Sequence, residues 1–290
     1  MNNEEIKKLI ADDHLRIELH DRMGHNLNKL IEALDGEQLS NDTTYSLEEF
    51  KARIEKIEEL AEELCTIQVL LAYWGTVKQS SLFTFSLNSI TLALKGKRDR
   101  NIWRAVKWHS IQQLFYCGGI SAVASGNYYK LYELFDLMIP PPDQTKDMVT
   151  ISQALLIVNS KIDNVYNKLI ENDNHITPLS EYLYNQINLI FNKVISLGPL
   201  YEPSFDRFEL MRALDYIDRK HDDIPEQSWS PIGRFYLKTF ENNPFHQILN
   251  EAEKHKENWA PLQAGFCHGS YERFQKICAS FQKRLQQLRW

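Results

Sequence analysis

The sequence predicts an all-α chain: an antiparallel helical pair followed by an irregular helical bundle or an array of tetratricopeptide- or HEAT-like helices. Three observations predict it. Glycine occurs only 11 times in 290 residues, below its usual share of about 7%, which favours long helices over many tight turns. Apolar residues recur at alternating spacings of three and four through most of the chain, the period of a helix with one buried face. No stretch alternates apolar and polar residues in the manner of a half-buried strand.

The first predicted helix runs from Glu4 to Leu34, with Ile6, Ile10, Ile17, Leu27, Ile31 and Leu34 on its apolar stripe and Gly36 as its stop. His20 lies beside that stripe and reads as a core or interface histidine. A polar linker, Ser40–Tyr45, leads to Ser46, which opens a second helix with the capping pattern Ser46-x-x-Glu49. Leu47, Phe50, Ile54, Ile57, Ala61, Leu64, Ile67 and Leu71 give that helix the strongest periodicity in the chain, and its other face carries Glu48, Glu55, Glu58, Glu59 and Glu62. Ser81–Leu94 reads as a buried helix, and Ile102–Met138 as two helices joined at Ser125–Asn127. There Gly119, Gly126, Tyr128 and Phe135 sit at the offsets of one tetratricopeptide helix pair, with no second copy at that period. Pro140, Pro141 and Pro142 end helix outright. Beyond them lie helices over Met148–Ile170, Leu179–Leu197 and Phe205–Arg219, a polar loop over His221–Ser230, shorter helices over Pro231–Phe240 and Pro244–His255, and a closing helix over Tyr271–Leu288. These elements divide the chain into an N-terminal helical pair, 1–75, and a helical domain, 76–290, with a hinge at 139–147.

A net charge of −6 and a pI near 5.9 make non-specific nucleic-acid binding an unfavourable default. The exception is the basic segment Lys95–Lys107, where Lys95, Lys97, Arg98, Arg100, Arg104 and Lys107 crowd together. Cys65, Cys117, Cys267 and Cys278 are scattered and read as reduced, buried thiols. The polar, acidic start MNNEEIKKLIADD has no secretory pattern, and no apolar run approaches the roughly 18 residues that span a bilayer. The expectation is a cytoplasmic protein.

Two constellations invite chemistry. His14, Glu18, Asp21 and His25 follow one flank of the first helix and offer metal-ligand types. One helix spreads its side chains along its axis and does not close a coordination shell, so a solvated or partner-facing flank is the favoured reading. Arg104-Ala-Val-Lys-Trp-His109 is an Arg-x4-His motif resembling that of HEPN-type ribonucleases, which are also all-α. That resemblance implies Arg104 on phosphate charge and His109 as general base or 2′-hydroxyl ligand. Against this stands a basic, aromatic helix packed on a partner. Phosphate-loop, dinucleotide and serine-nucleophile motifs are absent. The neighbours Cys267 and His268 are adjacent only in sequence, which does not make them a catalytic pair. No cofactor is expected.

Two blocks are familiar together. Within Arg104–Leu134, FYCGGISAVASGNYYKL resembles a pattern LYAGGIAALAxGRYxxL, and SFDRFELMRALDYID (Ser204–Asp218) resembles FDRFExLLALxYAD. The pair is similar to the helical C-terminal region of bacterial multidomain proteins that carry SIR2-, TIR- or AlbA-type effector domains, many of them anti-phage or stress components. The closing helix after Phe266-Cys267-His268-Gly269 is similar to that family's terminal helix. The resemblance implies a helical module without its effector domain: a non-enzymatic adaptor, sensor or accessory subunit acting with a separately encoded protein partner. Its expected binding surfaces are the acidic second helix and the aromatic-basic region Arg98–Tyr116. The alternative is a ribonuclease using Arg104 and His109.

Overall fold

The computed structural model describes residues 3–40, 44–95, 102–142, 147–170, 176–220, 231–238 and 243–287. It is an all-α bundle, and nearly all of its described buried apolar residues, from Ile6 to Phe281, form one continuous cluster.

The N-terminal segment forms two helices rather than one, α1 (Asn3–Ala11) and α2 (Arg16–Asp35). Asp12 causes the break. Its carboxylate accepts the His14 backbone N–H at 2.9 Å and caps a single 3-10 turn, Asp13–Leu15, the local competition with helix that Asp side chains offer. The break resets the helical phase. Ile17, expected on the stripe, is 75% exposed, while Leu19, Met23, Leu27, Leu30 and Leu34 form the buried face of α2. His20 is exposed against the Phe85 ring rather than in the core.

Helix α3 (Leu47–Trp74) begins where Ser46 accepts the Glu49 N–H. Its predicted stripe is buried from Phe50 to Leu71, and every residue from Leu64 to Ala72 is enclosed. Next come α4 (Ser80–Ala93), the short α5 (Ile102–Lys107) and α6 (His109–Ala124). Residues His109–Val123 of α6 are all buried, so α6 and the second half of α3 are the central pair, as expected of helices apolar all round. The Ser121 hydroxyl donates to the Val69 carbonyl at 2.7 Å between them, and the thiols of Cys65 and Cys117 meet there. All four cysteines are buried and free.

Trp103, Trp108, Tyr116 and Lys107 are buried, which corrects the expectation that this aromatic-basic region is a binding surface. Its rings are core, and the Arg53 guanidinium lies 4.1 Å from the Trp103 ring centroid. Lys97, Arg98 and Arg100 lie outside the described residues. Of the acidic face of α3, Glu58 turns inward to His109 and Glu62 pairs with Lys193 at the surface, while Glu48, Glu55 and Glu59 are exposed.

Helix α7 (Tyr128–Phe135) returns along α6 after Gly126. The proline segment is flanked by an element that the strand-free expectation missed: β1 (Met138–Ile139) pairs antiparallel with β2 (Val149–Thr150). Then follow α8 (Ile151–Leu169), α9 (Pro178–Val194) and α10 (Tyr201–Lys220). The predicted helix over 231–240 is, in its described part, one 3-10 turn, Arg234–Leu237. The predicted loop over 221–230 lies outside the described residues. The chain closes with α11 (Pro244–His255), α12 (Ala260–Gln263) and α13 (Tyr271–Gln287). Among the described residues no helix is long and apolar enough to cross a membrane.

Helix α10 packs on α6 where Gly119 has no side chain. A Cβ there would fall 2.0 Å from the Phe208 ring, and Phe208 also meets Phe115, Tyr116 and Phe135. A Gly119→Ala variant should therefore lose about 1–3 kcal/mol of stability through overpacking. Adding Phe208→Leu should recover part of that loss, read as a favourable coupling in urea unfolding of the single and double variants; strictly additive losses would show that the two residues do not meet.

Candidate functional site

The structure places the sequence-derived candidates as follows. His14, Glu18, Asp21 and His25 are all exposed, and Asp21 lies beside His20 at 3.3 Å. Among the described residues, no group of three or more His, Cys, Asp or Glu converges as a metal would require. Arg104 is half-buried within α5, and His109 opens α6.

His109 is 1% exposed. Its Nδ1 faces the Tyr166 hydroxyl and its Nε2 faces Glu58 Oε1, each at 2.9 Å. Tyr182 donates to the same Glu58 oxygen at 3.0 Å. Burial pushes the Tyr166 and Tyr182 hydroxyls up, so both stay protonated. The consistent tautomer has Tyr166 donating to Nδ1 and Nε2–H donating to Glu58. Both ring nitrogens are thus occupied inside the protein, across α3, α6, α8 and α9. Cys267 is buried, and desolvation followed by the nearby Asp218 charge pushes its thiol up, opposite to a reactive thiolate.

A different site emerges from tertiary packing. A chamber of about 1050 Å³ opens between α8, α9, α10 and the 231–238 segment. Its floor is polar. Arg212 of α10 donates from Nε to Ser152 Oγ at 3.0 Å and from Nη1 to the Tyr116 hydroxyl at 3.2 Å. Tyr116 in turn donates to Glu209 Oε1 at 3.0 Å. The Ser180 hydroxyl lies 2.7 and 2.9 Å from the two Glu209 oxygens and accepts the Arg234 backbone N–H at 3.0 Å. Every direction is consistent: arginine to tyrosine to carboxylate from one side, backbone to serine to carboxylate from the other.

Local sequence explains this floor. Phe205, Phe208, Glu209 and Arg212 follow one another at helical spacing and share the face of α10 turned to the core. Pro178 sets the first turn of α9 and places Ser180 opposite Glu209. The 231–238 segment crosses so close that a Cβ on Gly233 would fall 1.8 Å from Glu209 Oε2, so only glycine fits beneath the carboxylate. Arg234 and Lys238 anchor the segment. Arg234 pairs with Glu181 at 3.4 Å and Glu202 at 3.3 Å and stacks 3.6 Å over Tyr184, and Lys238 pairs with Asp206 at 2.7 Å and with Glu202. Leu156, Ile157, Ile176, Leu179, Ile232 and Leu237 supply apolar wall.

Sequence reasoning missed these residues as a site, though Glu209 and Arg212 lie inside the quoted SFDRFELMRALDYID block. The available signal was two charges on the apolar face of an amphipathic helix. Comparison with family models, with curated proteins and with solved structures gives no match for this chain.

Burial foremost pushes the Glu209 carboxyl from its ordinary 4.5 up to about 7, against the hydrogen bonds of Ser180 and Tyr116 that favour the ion. The folded protein therefore binds the extra proton between those values. Its stabilising contribution is complete below about pH 4.5 and is lost as pH rises through about 7, an effect of up to about 3 kcal/mol. Asp215, raised to about 6 for the same leading reason, adds a slope of the same sign. Glu209→Gln should leave the Asp215 slope and remove its own, so urea unfolding at acidic and mildly alkaline pH should show a smaller loss in the variant than in the parent. Equal losses would mean that Glu209 does not titrate as its enclosure dictates.

Proposed function

We propose that this chain is a non-enzymatic helical sensor or accessory subunit of a bacterial multi-protein system, of the anti-phage defence kind, and that its input is a small molecule received in the α8–α10 chamber. The observation that carries this reading is the chamber itself: an apolar-walled cavity with a few convergent polar groups has the general form of a ligand site. The resemblance to effector-associated helical modules supports the accessory role. The two blocks that carry it form α6–α7 and α10, the helices that bring Tyr116, Glu209 and Arg212 together.

A ligand there would touch α8, α9, α10 and the anchored 231–238 segment at once. Its binding energy would bias how those elements sit on one another, which is how a bound molecule becomes a signal to a protein partner. Enclosure of both His109 nitrogens weighs against the ribonuclease reading. A nucleic-acid contact through Lys95–Lys107 loses Trp103 and Trp108 as stacking platforms, since both are buried.

Two measurements test the proposal. Purified protein incubated with mixed RNA, beside a His109→Ala control, should leave the RNA intact; cleavage by the parent that disappears in the variant would replace the sensor reading with the nuclease. Small-molecule fractions of a bacterial extract should include one that raises the melting temperature of the parent by more than that of Ile157→Trp, whose larger ring intrudes on the chamber from its half-buried wall. Saturation at about a hundred times Kd is worth about 2.7 kcal/mol, an easily read shift. No responding fraction would count against a sensor and leave only a scaffold.

A further inference from the structure

The chamber's own polar atoms say what kind of molecule it takes. Arg212 is a lining residue and is only 4% exposed. A guanidinium carries five N–H donors. Nε and Nη1 have protein acceptors, whereas Nη2, with two donors, has none. An unsatisfied buried donor costs about 1–3 kcal/mol, and more when charged, so native proteins rarely leave one without a purpose. Two further lining atoms are in the same condition, Thr177 Oγ1 and Asn159 Oδ1. The three atoms are themselves closed off from solvent, but their residues line the cavity, so a small turn of each side chain would present an unmet polar atom to an occupant.

Charge narrows the class. Arginine stays protonated at any working pH. Among the described residues, the other charged groups facing the chamber are Glu209, Asp163 and Lys238. Lys238 is already held by Asp206 and Glu202. Burial raises the Glu209 and Asp163 carboxyls above their ordinary values. Neither is a hydrogen-bond partner of Arg212, which bonds to the uncharged Ser152 and Tyr116 hydroxyls, so no described carboxylate is paired with the guanidinium. Its planar fork suits the oxygens of a carboxylate, sulfonate or phosphate. Size narrows it further. About 1050 Å³ lies at the upper end of small-molecule sites, so an inorganic anion alone would leave the apolar wall uncovered.

We propose that the chamber binds a small organic anion, an acidic head on Arg212 Nη2 and an apolar body against Leu156, Ile157, Leu179 and Ile232, with Thr177 and Asn159 meeting a polar group farther along it. This inference rests on the sensor reading of the same chamber. It makes Arg212 the residue that selects charge and the apolar wall the part that selects size.

Two fluorescent probes of nearly the same shape separate the claims: anilinonaphthalene sulfonate, which carries the anion, and phenylnaphthylamine, which lacks it. The parent protein should bind one equivalent of each, and Ile157→Trp, which intrudes on the apolar wall, should weaken both. Arg212→Met should weaken the sulfonate probe by about tenfold or more, the worth of a charge-assisted pair, and leave the neutral probe within about twofold. Arg212→Lys should fall between. Equal binding of both probes, unchanged by Arg212→Met, would overturn the anion assignment while the chamber stands. Binding of neither, or binding indifferent to Ile157→Trp, would overturn the ligand chamber and the sensor reading with it. Should Arg212→Met fail to fold by circular dichroism, the parent decides alone: decanoate must displace the sulfonate probe at concentrations where decanol does not, and equal displacement overturns the assignment.

Discussion

Phe208 seats its ring where Gly119 leaves out a side chain, and the separation of α6 and α10 follows from that contact. With the two helices so close, Tyr116, one turn before Gly119, reaches both Glu209 and Arg212 on the facing helix. The rings of Phe115, Tyr116 and Phe135 close around Phe208 and shield the polar layer from one side. An apolar contact thus sets the lengths of hydrogen bonds that belong to the site. Any larger residue at either position would spread the helices, and it is the charged groups, which need close partners in a low-dielectric interior, that would suffer most.

Helix α10 has a second unusual property: several of its enclosed or half-buried charges address different neighbouring elements. Asp206 holds the 231–238 segment through Lys238, Arg207 holds α11 through a two-pronged pair with Glu251 at 2.7 and 2.5 Å, and Arg212 reaches α8 through Ser152. Asp215 pairs with Arg219 of its own helix, which also reaches Asp136, and Asp218 takes Arg273 of α13. Enclosed pairs of this kind add little net stability, because desolvation offsets much of the attraction, but breaking one by removing a single partner is expensive. Their effect is selective. A bundle of greasy helices can slide in register, whereas α8, α11 and α13 can dock on α10 only where each charge finds its mate.

The bundle was legible in the sequence because its helices announce themselves by period and by caps. The α3 stripe, the Ser46 cap and the stop at Gly36 stand where the residues put them. The failures have physical reasons. Asp12 outcompeted the helix with one side-chain bond, and the shift in phase carried Ile17 to solvent. Trp103, Trp108 and Tyr116 looked like a surface because they sit among lysines and arginines, and periodicity does not distinguish a helix with a sticky face from one buried all round. The two-residue β pairing is too short to leave any alternating pattern. The candidate site was legible only as fragments. Tyr116 and Glu209 lie 93 residues apart, and no local spacing joins them. Arg104-x4-His109 was conspicuous because it is local, and tertiary structure gave His109 to Glu58 and Tyr166 instead.

The four cysteines carry a practical consequence. Each is enclosed and unbridged, and burial leads the rise of the Cys267 and Cys278 thiols, while Cys65 is raised first by its bond to Cys117 and then by burial. Thiolate is the form that reacts with alkylating dyes, so the native protein should label only slowly with maleimides. A cysteine placed at an exposed position on α8 and another on α9 would then be the pair that labels, without first stripping the core of sulfur. The distance between two such dyes would follow, in solution and in real time, the helices that close around the chamber.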